Sequence, residues 1–374
     1  MPTMIDYLTW RGDLTFKSDP FNEIDALILA CLSYVQLDDA VPAPGKGSVR
    51  LEDAYLRYFS LHSEDKPDEE KIFIKYVPYI FELMASAPRF KDLMLSDFVD
   101  KTDIDKGIQF AALRIDTGDG CSFISYRGTD DNIVGWKEDF YLSCRTVPAE
   151  AEAVEYLNEV ELGNFNGIRL GGHSKGGHLS VYAVCCADAR VASRVKKIYD
   201  FDGPGYNDEI LNSEEFRNIE KDILRVLPEF SIIGRLLENR IPPIVIESTS
   251  MAILQHDPDN WQIVGKHFVT KEKLSPLSDL FDETLTHWID SLSSEAKEAY
   301  IEDLFAVLEA SGETRITDIA SGGIKAFRNM ILRLNKQSPE SSNITKQLLK
   351  IFFSNWTEMT SEKLGRSPVK RIKA

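Results

Sequence analysis

The chain lacks any apolar run near the ~20 residues that a helix needs to cross a bilayer, so no spanning segment is expected. It also lacks a positive excess. Lys and Arg number 43 against 60 Asp and Glu, a net charge of −17. A surface of that sign repels phosphate backbones and anionic lipid, so nucleic-acid binding is not expected. The tail Lys370-Arg371-Ile372-Lys373 is too short to reverse the balance. Met1 to Asp13 hold Asp6, Arg11 and Asp13, with no basic stretch leading into an apolar one, so they do not read as a secretory signal. Cysteine is scarce: Cys31, Cys121, Cys144 and the adjacent pair Cys185-Cys186. An odd count, an adjacent pair and no signal point to reduced thiols in a cytoplasmic protein, with Cys185 and Cys186 packing in a core. Internal repeats and long low-complexity segments are absent too.

What is present is a globular composition, 43% hydrophobic and 28% charged over 374 residues. That length accommodates one large α/β domain with additions, or two domains. Pro20 to Tyr34 carries Ile24, Leu27, Ile28, Cys31 and Leu32 at helical spacing, with Asp19-Pro20 as a start. Asp39 to Val49, with two prolines and two glycines, reads as a loop. Helices are expected over Glu52 to Ser60 and Glu69 to Ser86, the second kinked or split by Pro78. Ile108 to Ile115 and Cys121 to Tyr126 read as a hairpin closed by Asp116-Thr117-Gly118-Asp119-Gly120. That turn fails the spacing of a calcium loop.

Strands and helices then alternate. Expected are a helix over Ala149 to Glu159, a strand over Ile168 to Leu170, a helix over Gly177 to Ala187, and strands at Val195 to Phe201 and Ile223 to Leu227. Ile244 to Leu254 holds one or two more. Such alternation implies a mostly parallel sheet covered on both faces. Beyond Thr270 the pattern is helical, over Asp279 to Ser291, Ser294 to Ser311, Ile316 to Asn335 and Thr345 to Thr360. The expected division is an N-terminal helical segment (1–104), an α/β core (105–270) and a C-terminal helical extension (271–374).

Gly172-His173-Ser174-Lys175-Gly176 reads G-x-S-x-G, between the apolar Ile168-Arg169-Leu170 and helix-forming residues. A strand turning sharply into a helix there would hold Ser174 Oγ at the tip, and the flanking glycines would let strand and helix pack closely. A serine hydroxyl near pH 7 needs a base, an acid to orient that base, and donors for an oxyanion. Of six histidines, His173 and His178 lie too near Ser174 to face it. His62 sits in a charged stretch and His287 on a C-terminal helix. His256, just past the strand-like run Met251 to Gln255, is preferred over His267. For the acid, Asp202 at the carboxyl end of Lys197 to Phe201 is preferred over Glu229 and Asp257.

Phe123-Ile124-Ser125-Tyr126-Arg127-Gly128-Thr129, followed by Trp136 and Asp139, resembles the R-G-T and W-x-x-D pattern of class 3 (fungal-type) lipases. The match spans about residues 105 to 260. The resemblance implies an α/β-hydrolase fold. It places Thr129 and the Lys175 N–H in the oxyanion hole, makes Ile133 to Tyr141 the lid region, and gives Arg127 a structural role. More closely, the chain resembles an uncharacterised lipase-like bacterial family. The shared stretches include Trp10-Arg11-Gly12-Asp13, Phe21-Asn22-Glu23, Leu32-Ser33-Tyr34, Asp202-Gly203-Pro204-Gly205 and Leu254-Gln255-His256-Asp257-Pro258. Trp10, Arg11 and Asp13 are expected to pack and pair. One departure stands out: the position aligning best with the class 3 lipase acid is Ser231. Lys175 is another, at a place that is often apolar or Gln; its side chain is expected to be solvated.

The expectation is a serine hydrolase acting on a small-molecule carboxylic ester or acylglycerol, with Ser174, His256 and Asp202 as triad and no cofactor. Two rivals stand beside it. A pseudohydrolase that binds without turnover is motivated by Ser231. A metal-dependent hydrolase would use His256, Asp257 and Asp259.

Overall fold

The computed structural model describes residues 2–61, 77–103, 108–129, 133–142, 145–160, 163, 165–289, 294–313, 319, 323–336, 342 and 345–347. Two helices, α1 (Met4–Arg11) and α2 (Glu23–Leu32), open the chain. Asn22, rather than Asp19-Pro20, starts α2: its side chain accepts from the N–H groups of Ile24 and Asp25, and Asp25 answers by accepting from the Asn22 N–H. Then follow β1 (Ser48–Arg50), α3 (Leu51–Leu61), α4 (Val77–Ser86), β2 (Met94–Asp103), β3 (Ile108–Asp116) and β4 (Cys121–Tyr126). The expected helix over Glu69 to Ser86 is described only from Val77 onward, so its part before Pro78 lies outside the described residues.

The alternating part comprises α5 (Ile133–Tyr141), α6 (Pro148–Glu159), β5 (Gly167–His173), α7 (Lys175–Cys186), α8 (Ala189–Ala192), β6 (Val195–Phe201), α9 (Asp208–Asn212), α10 (Glu214–Ile219), β7 (Ile223–Pro228) and β8 (Ile244–Ile246). A small hairpin, β9 (Ile263–Val264) and β10 (His267–Phe268), precedes α11 (Pro276–Ile289), α12 (Ser294–Glu309) and a helix over Gly323–Leu334. The expected helix over Thr345 to Thr360 lies almost wholly outside the described residues.

Eight strands form one sheet in sequential order, β1 to β8. Pairing is antiparallel from β1 to β4 and parallel from β4 to β8. Strands in sequence order joined by right-handed crossovers carry their crossover helices on one face. That face buries Ile124, Leu170 and Ile198 against Ala153 and Leu157 of α6 and Leu179 and Val181 of α7. The other face needs separate cover. Phe123, Tyr199 and Phe201, alternating with the first set, pack there against α1, α2 and α4 and, at one end, residues of α11 and α12. The terminal segments thus complete an α/β-hydrolase-type fold by burying the sheet's second face.

The sheet also reaches upstream of residue 105. β1 overlaps the end of the expected loop, and β2 lies in a segment expected to be helical. β2 escapes period-two reading because a bulge between Ser96 and Val99, with Asp97 at φ +55°, shifts the alternation partway along. Arg89 ties the N-terminal segment together. It is fully buried, donates to both carboxylate oxygens of Asp25 at 2.7 and 2.6 Å, and donates to the carbonyls of Leu14, Asp19 and Pro20. Arg11 pairs with Asp19, but Trp10 and Asp13 are exposed rather than packed. The four described cysteines are free thiols; Cys31 and Cys185 are buried, whereas Cys186 reaches the surface.

Candidate functional site

Ser174 sits between β5 and α7 with φ +58° and ψ −133°. A serine held at positive φ is strained by about 1–3 kcal/mol, and such strain persists only where the surroundings impose it. The glycines show what imposes it. A Cβ on Gly172 would lie 2.2 Å from the Gly176 carbonyl carbon, and one on Gly176 would lie 2.1 Å from the Tyr126 oxygen. Strand and helix therefore meet backbone to backbone, and the residue between them is forced outward.

His256 reaches Ser174 from the other side. Its Nε2 is 3.0 Å from Ser174 Oγ, and its Nδ1 is 2.6 Å from Asp202 Oδ2. The carboxylate can only accept, so Nδ1 carries the proton and Nε2 is left to accept from the serine hydroxyl. His256 does not end a strand. β8 stops at Ile246, and Ala252–His256 forms a 3₁₀ helix that buries Ile253 and His256, three apart, while Met251 is exposed. A run of four apolar residues, Met251 to Leu254, cannot distinguish a period of two from a period of three.

Asp202 follows β6, is wholly buried, and has φ +54°, with its N–H donating to the Val226 carbonyl at 2.8 Å. Its second oxygen, Oδ1, accepts from Ser231 Oγ at 2.5 Å. Ser231, the position where the resemblance puts the acid, thus donates to the Asp202 carboxylate instead. Ser278 of α11 donates in turn to the Ser231 carbonyl at 2.6 Å. The other acids are elsewhere. Glu229 is partly exposed, 3.9 Å from Lys271, and Asp257 accepts from the Asp259 N–H to cap the next turn.

The other described histidines do not face Ser174 Oγ. His178 lies between Glu150 and the Gly205 carbonyl. His267 is exposed, 3.4 Å from Glu23. His173 contacts Tyr34 and the His256 backbone. His62 and the side chain of His287 lie outside the described residues. The metal reading fares poorly, since both nitrogens of His256 are engaged by Ser174 and Asp202. Among the described residues no group of three or more His, Cys, Asp or Glu side chains is arranged to hold an ion.

Thr129 and Lys175 flank the serine. Thr129 is buried and its hydroxyl donates to Asp139 Oδ1 at 2.9 Å. Burial pushes the Asp139 carboxyl up to about 6, against the pull of Lys175 and of the Thr129 hydrogen bond. Lys175 is the first residue of α7, so its N–H has no intrahelical acceptor. Its side chain is not solvated. The ammonium is fully buried and donates to Glu138 Oε2 at 2.7 Å and to the Gln109 carbonyl at 3.2 Å. Arg127 pairs with both oxygens of Asp100 on β2, at 2.8 and 2.9 Å, and ties the end of β4 to β2 across β3.

Helix α5 covers the site. Trp136 stands edge-on to the His256 ring at 5.8 Å, and Glu138 reaches Lys175. On its outer side α5 is held by α12. Phe140 meets Phe305 edge to face at 5.3 Å, and Glu302 accepts from Lys137 at 2.6 Å and from the Tyr141 hydroxyl. The contacts to α12 join residues some 160 apart, which no local pattern signals. Under this cover Ser174 is only 2% exposed.

No curated protein sequence matches the chain. The crystal structure of M37 lipase is similar at 15% identity and a TM-score of 0.37, over 58% of this chain and 70% of that one. Residues 84–306, more than half of the chain, match the Mbeg1-like family. The chain belongs to the Mbeg1-like family.

Proposed function

We propose that the protein is a serine hydrolase cleaving carboxylic esters or acylglycerols. The observation that carries the reading is the hydrogen-bonded run Ser174–His256–Asp202, with the serine strained at a strand-to-helix turn. Ser174 Oγ attacks the acyl carbonyl as its proton passes to His256 Nε2. Asp202 stabilises the imidazolium that forms. The backbone N–H groups of Lys175 and Thr129 hold the tetrahedral oxyanion, the Thr129 hydroxyl being engaged by Asp139. Collapse expels the alcohol, which takes the proton from Nε2. Water, deprotonated by the same nitrogen, then attacks the acyl-enzyme and releases the acid and the free serine. In this reading α5 is the lid that must move for substrate to reach Ser174. The rival pseudohydrolase reading rests on serine at position 231; the Asp202 carboxylate beside His256 supports the hydrolase reading. Cytoplasmic residence is part of the same proposal, supported by the free thiols. No described helix is long and apolar enough to cross a membrane.

The test is fluorophosphonate labelling of wild type and Ser174→Ala, with p-nitrophenyl esters of short and long chain assayed in parallel. Labelling and turnover that both vanish in Ser174→Ala support the proposal. Folded wild type that neither labels nor turns over any ester, with detergent or lipid present to displace α5, would refute it.

A further inference from the structure

The base is carried on a short element that cannot hold itself. Ala252–His256 is a five-residue 3₁₀ helix, and the last carbonyls of any helix lack partners within it. Side chains from elsewhere supply two donors. The Trp261 indole N–H donates to the Gln255 carbonyl at 2.8 Å. His173 Nε2 is 2.8 Å from the His256 carbonyl oxygen. A carbonyl only accepts, so Nε2 of His173 carries the proton and Nδ1 holds a lone pair. That lone pair faces the Tyr34 hydroxyl at 3.1 Å.

The tether is therefore directional, from Tyr34 O–H to His173 Nδ1 and from His173 Nε2–H to the His256 backbone. Each member is buried, with His173 wholly so and Tyr34 nearly so. The His173 ring also lies over the His256 ring, centroids 4.5 Å apart and planes 37° from parallel. It thus limits rotation of the base as well as movement of its backbone. Tyr34 is just as closely fitted. A Cβ on Gly128, the residue before Thr129, would lie 2.3 Å from its hydroxyl and 3.0 Å from Ser174 Cβ.

Neutrality of His173 is a requirement of this arrangement. A second imidazolium 4.5 Å from His256 would oppose the charge that His256 acquires. A protonated Nδ1 could no longer accept from Tyr34. Burial, with His256 alongside, holds the His173 imidazole well below its ordinary range.

We propose that His173, fixed in one tautomer by the His256 carbonyl and oriented by the Tyr34 hydroxyl, is a positioning residue that holds the base His256 in line with Ser174. The residue between Gly172 and Ser174 then has a task of its own, and α2's C-terminal extension is wired to the reacting atoms through it. The proposal rests on the serine-hydrolase reading above, because it assigns His256 the role of base.

The test uses the full-length protein with Tyr34→Phe, His173→Phe and His173→Gln. Readouts are kcat and KM on the best p-nitrophenyl ester and the low-field NMR signal of the proton between His256 Nδ1 and Asp202. Misplacing a catalytic group by about 1 Å costs about 100-fold. His173→Phe is expected to lower kcat by about that factor with KM little changed, and to broaden the low-field signal by solvent exchange. His173→Gln keeps a donor near Nε2 and is expected to recover most of the loss, and Tyr34→Phe to lose a few-fold. Folded His173→Phe with wild-type kcat and an unchanged signal would overturn the proposal. If His173→Phe does not fold, Tyr34→Phe decides: wild-type kcat with an unchanged signal in that variant overturns it equally. If wild type neither labels nor turns over, the function has failed rather than the tether, which the NMR signal still reads across the variants.

Discussion

Replacing Asp202 by Asn changes one charge in a site that excludes water. The carboxylate is wholly buried, His256 is 4% exposed, and Oδ2 lies 2.6 Å from Nδ1. When His256 takes the serine proton, imidazolium and carboxylate face each other with charge centres roughly 4 Å apart. At an effective dielectric constant of about 20 that pair is worth about 4 kcal/mol, or about 10³ in rate. The amide does further harm. Its NH₂ turned toward Nδ1 moves the imidazole proton to Nε2, which then cannot accept from Ser174. The same swap in a Ser-His-Asp triad costs about 10⁴ in kcat. Asp202→Asn should therefore lower kcat by 10³ to 10⁴ (an order-of-magnitude range from these two sources) with KM little changed. Ser231→Ala removes only the donor to Oδ1, so the charge stays and a loss of about tenfold is expected. The assay is p-nitrophenyl ester hydrolysis, with circular dichroism to verify folding. A folded Asp202→Asn with kcat within tenfold of wild type would refute the assignment of the acid.

Three other perturbations probe the frame. Asp25→Asn leaves Arg89 buried without its counter-charge and should destabilise the protein by about 3–5 kcal/mol in urea titration; a change under about 1 kcal/mol would show that the guanidinium finds another partner. Glu302→Ala removes contacts from α12 to α5 at a half-exposed position, so global stability should shift by less than about 1 kcal/mol, while fluorophosphonate labelling should speed up by as much as about fivefold. An unchanged labelling rate would mean that α12 does not restrain α5. Burial is the main cause that pushes the Asp200 carboxyl up to about 7, with Arg225, the Gly203 N–H and His178 opposing. The native state then keeps a proton that the unfolded chain, with a carboxyl near its ordinary 3.8, has released. Asp200 thus makes stability fall as pH rises from about 4 to 7, by on the order of 4 kcal/mol. Asp200→Asn keeps an oxygen for the Gly203 N–H and lacks the titration. Its melting temperature should drop less than that of wild type between pH 5 and pH 8; parallel curves would count against the shift.

Some of this molecule is written locally. The elbow was legible because glycine spacing and chain direction around Ser174 are set by backbone sterics, which act over a few residues. The turn Asp116 to Gly120 named the hairpin of β3 and β4 for the same reason. Asp202 and His256 could be ranked as partners because a parallel sheet gathers its carboxyl ends at one edge. Tertiary structure decided the rest. Whether a carboxylate at 202 could serve in place of one at 231 depended on two strand ends and a 3₁₀ helix converging, with Ser231 filling the second oxygen's need. β2 was hidden by a bulge whose extra residue only its neighbour β3 reveals. Lys175 reads as a solvated side chain until α5 folds over it and brings Glu138. The tether from Tyr34 through His173 joins residues 139 apart in the chain to the backbone of a third. Short-range sterics and periodicity are carried by neighbours in sequence. Burial, ion pairing and proton position are set by which distant surfaces exclude water from one another.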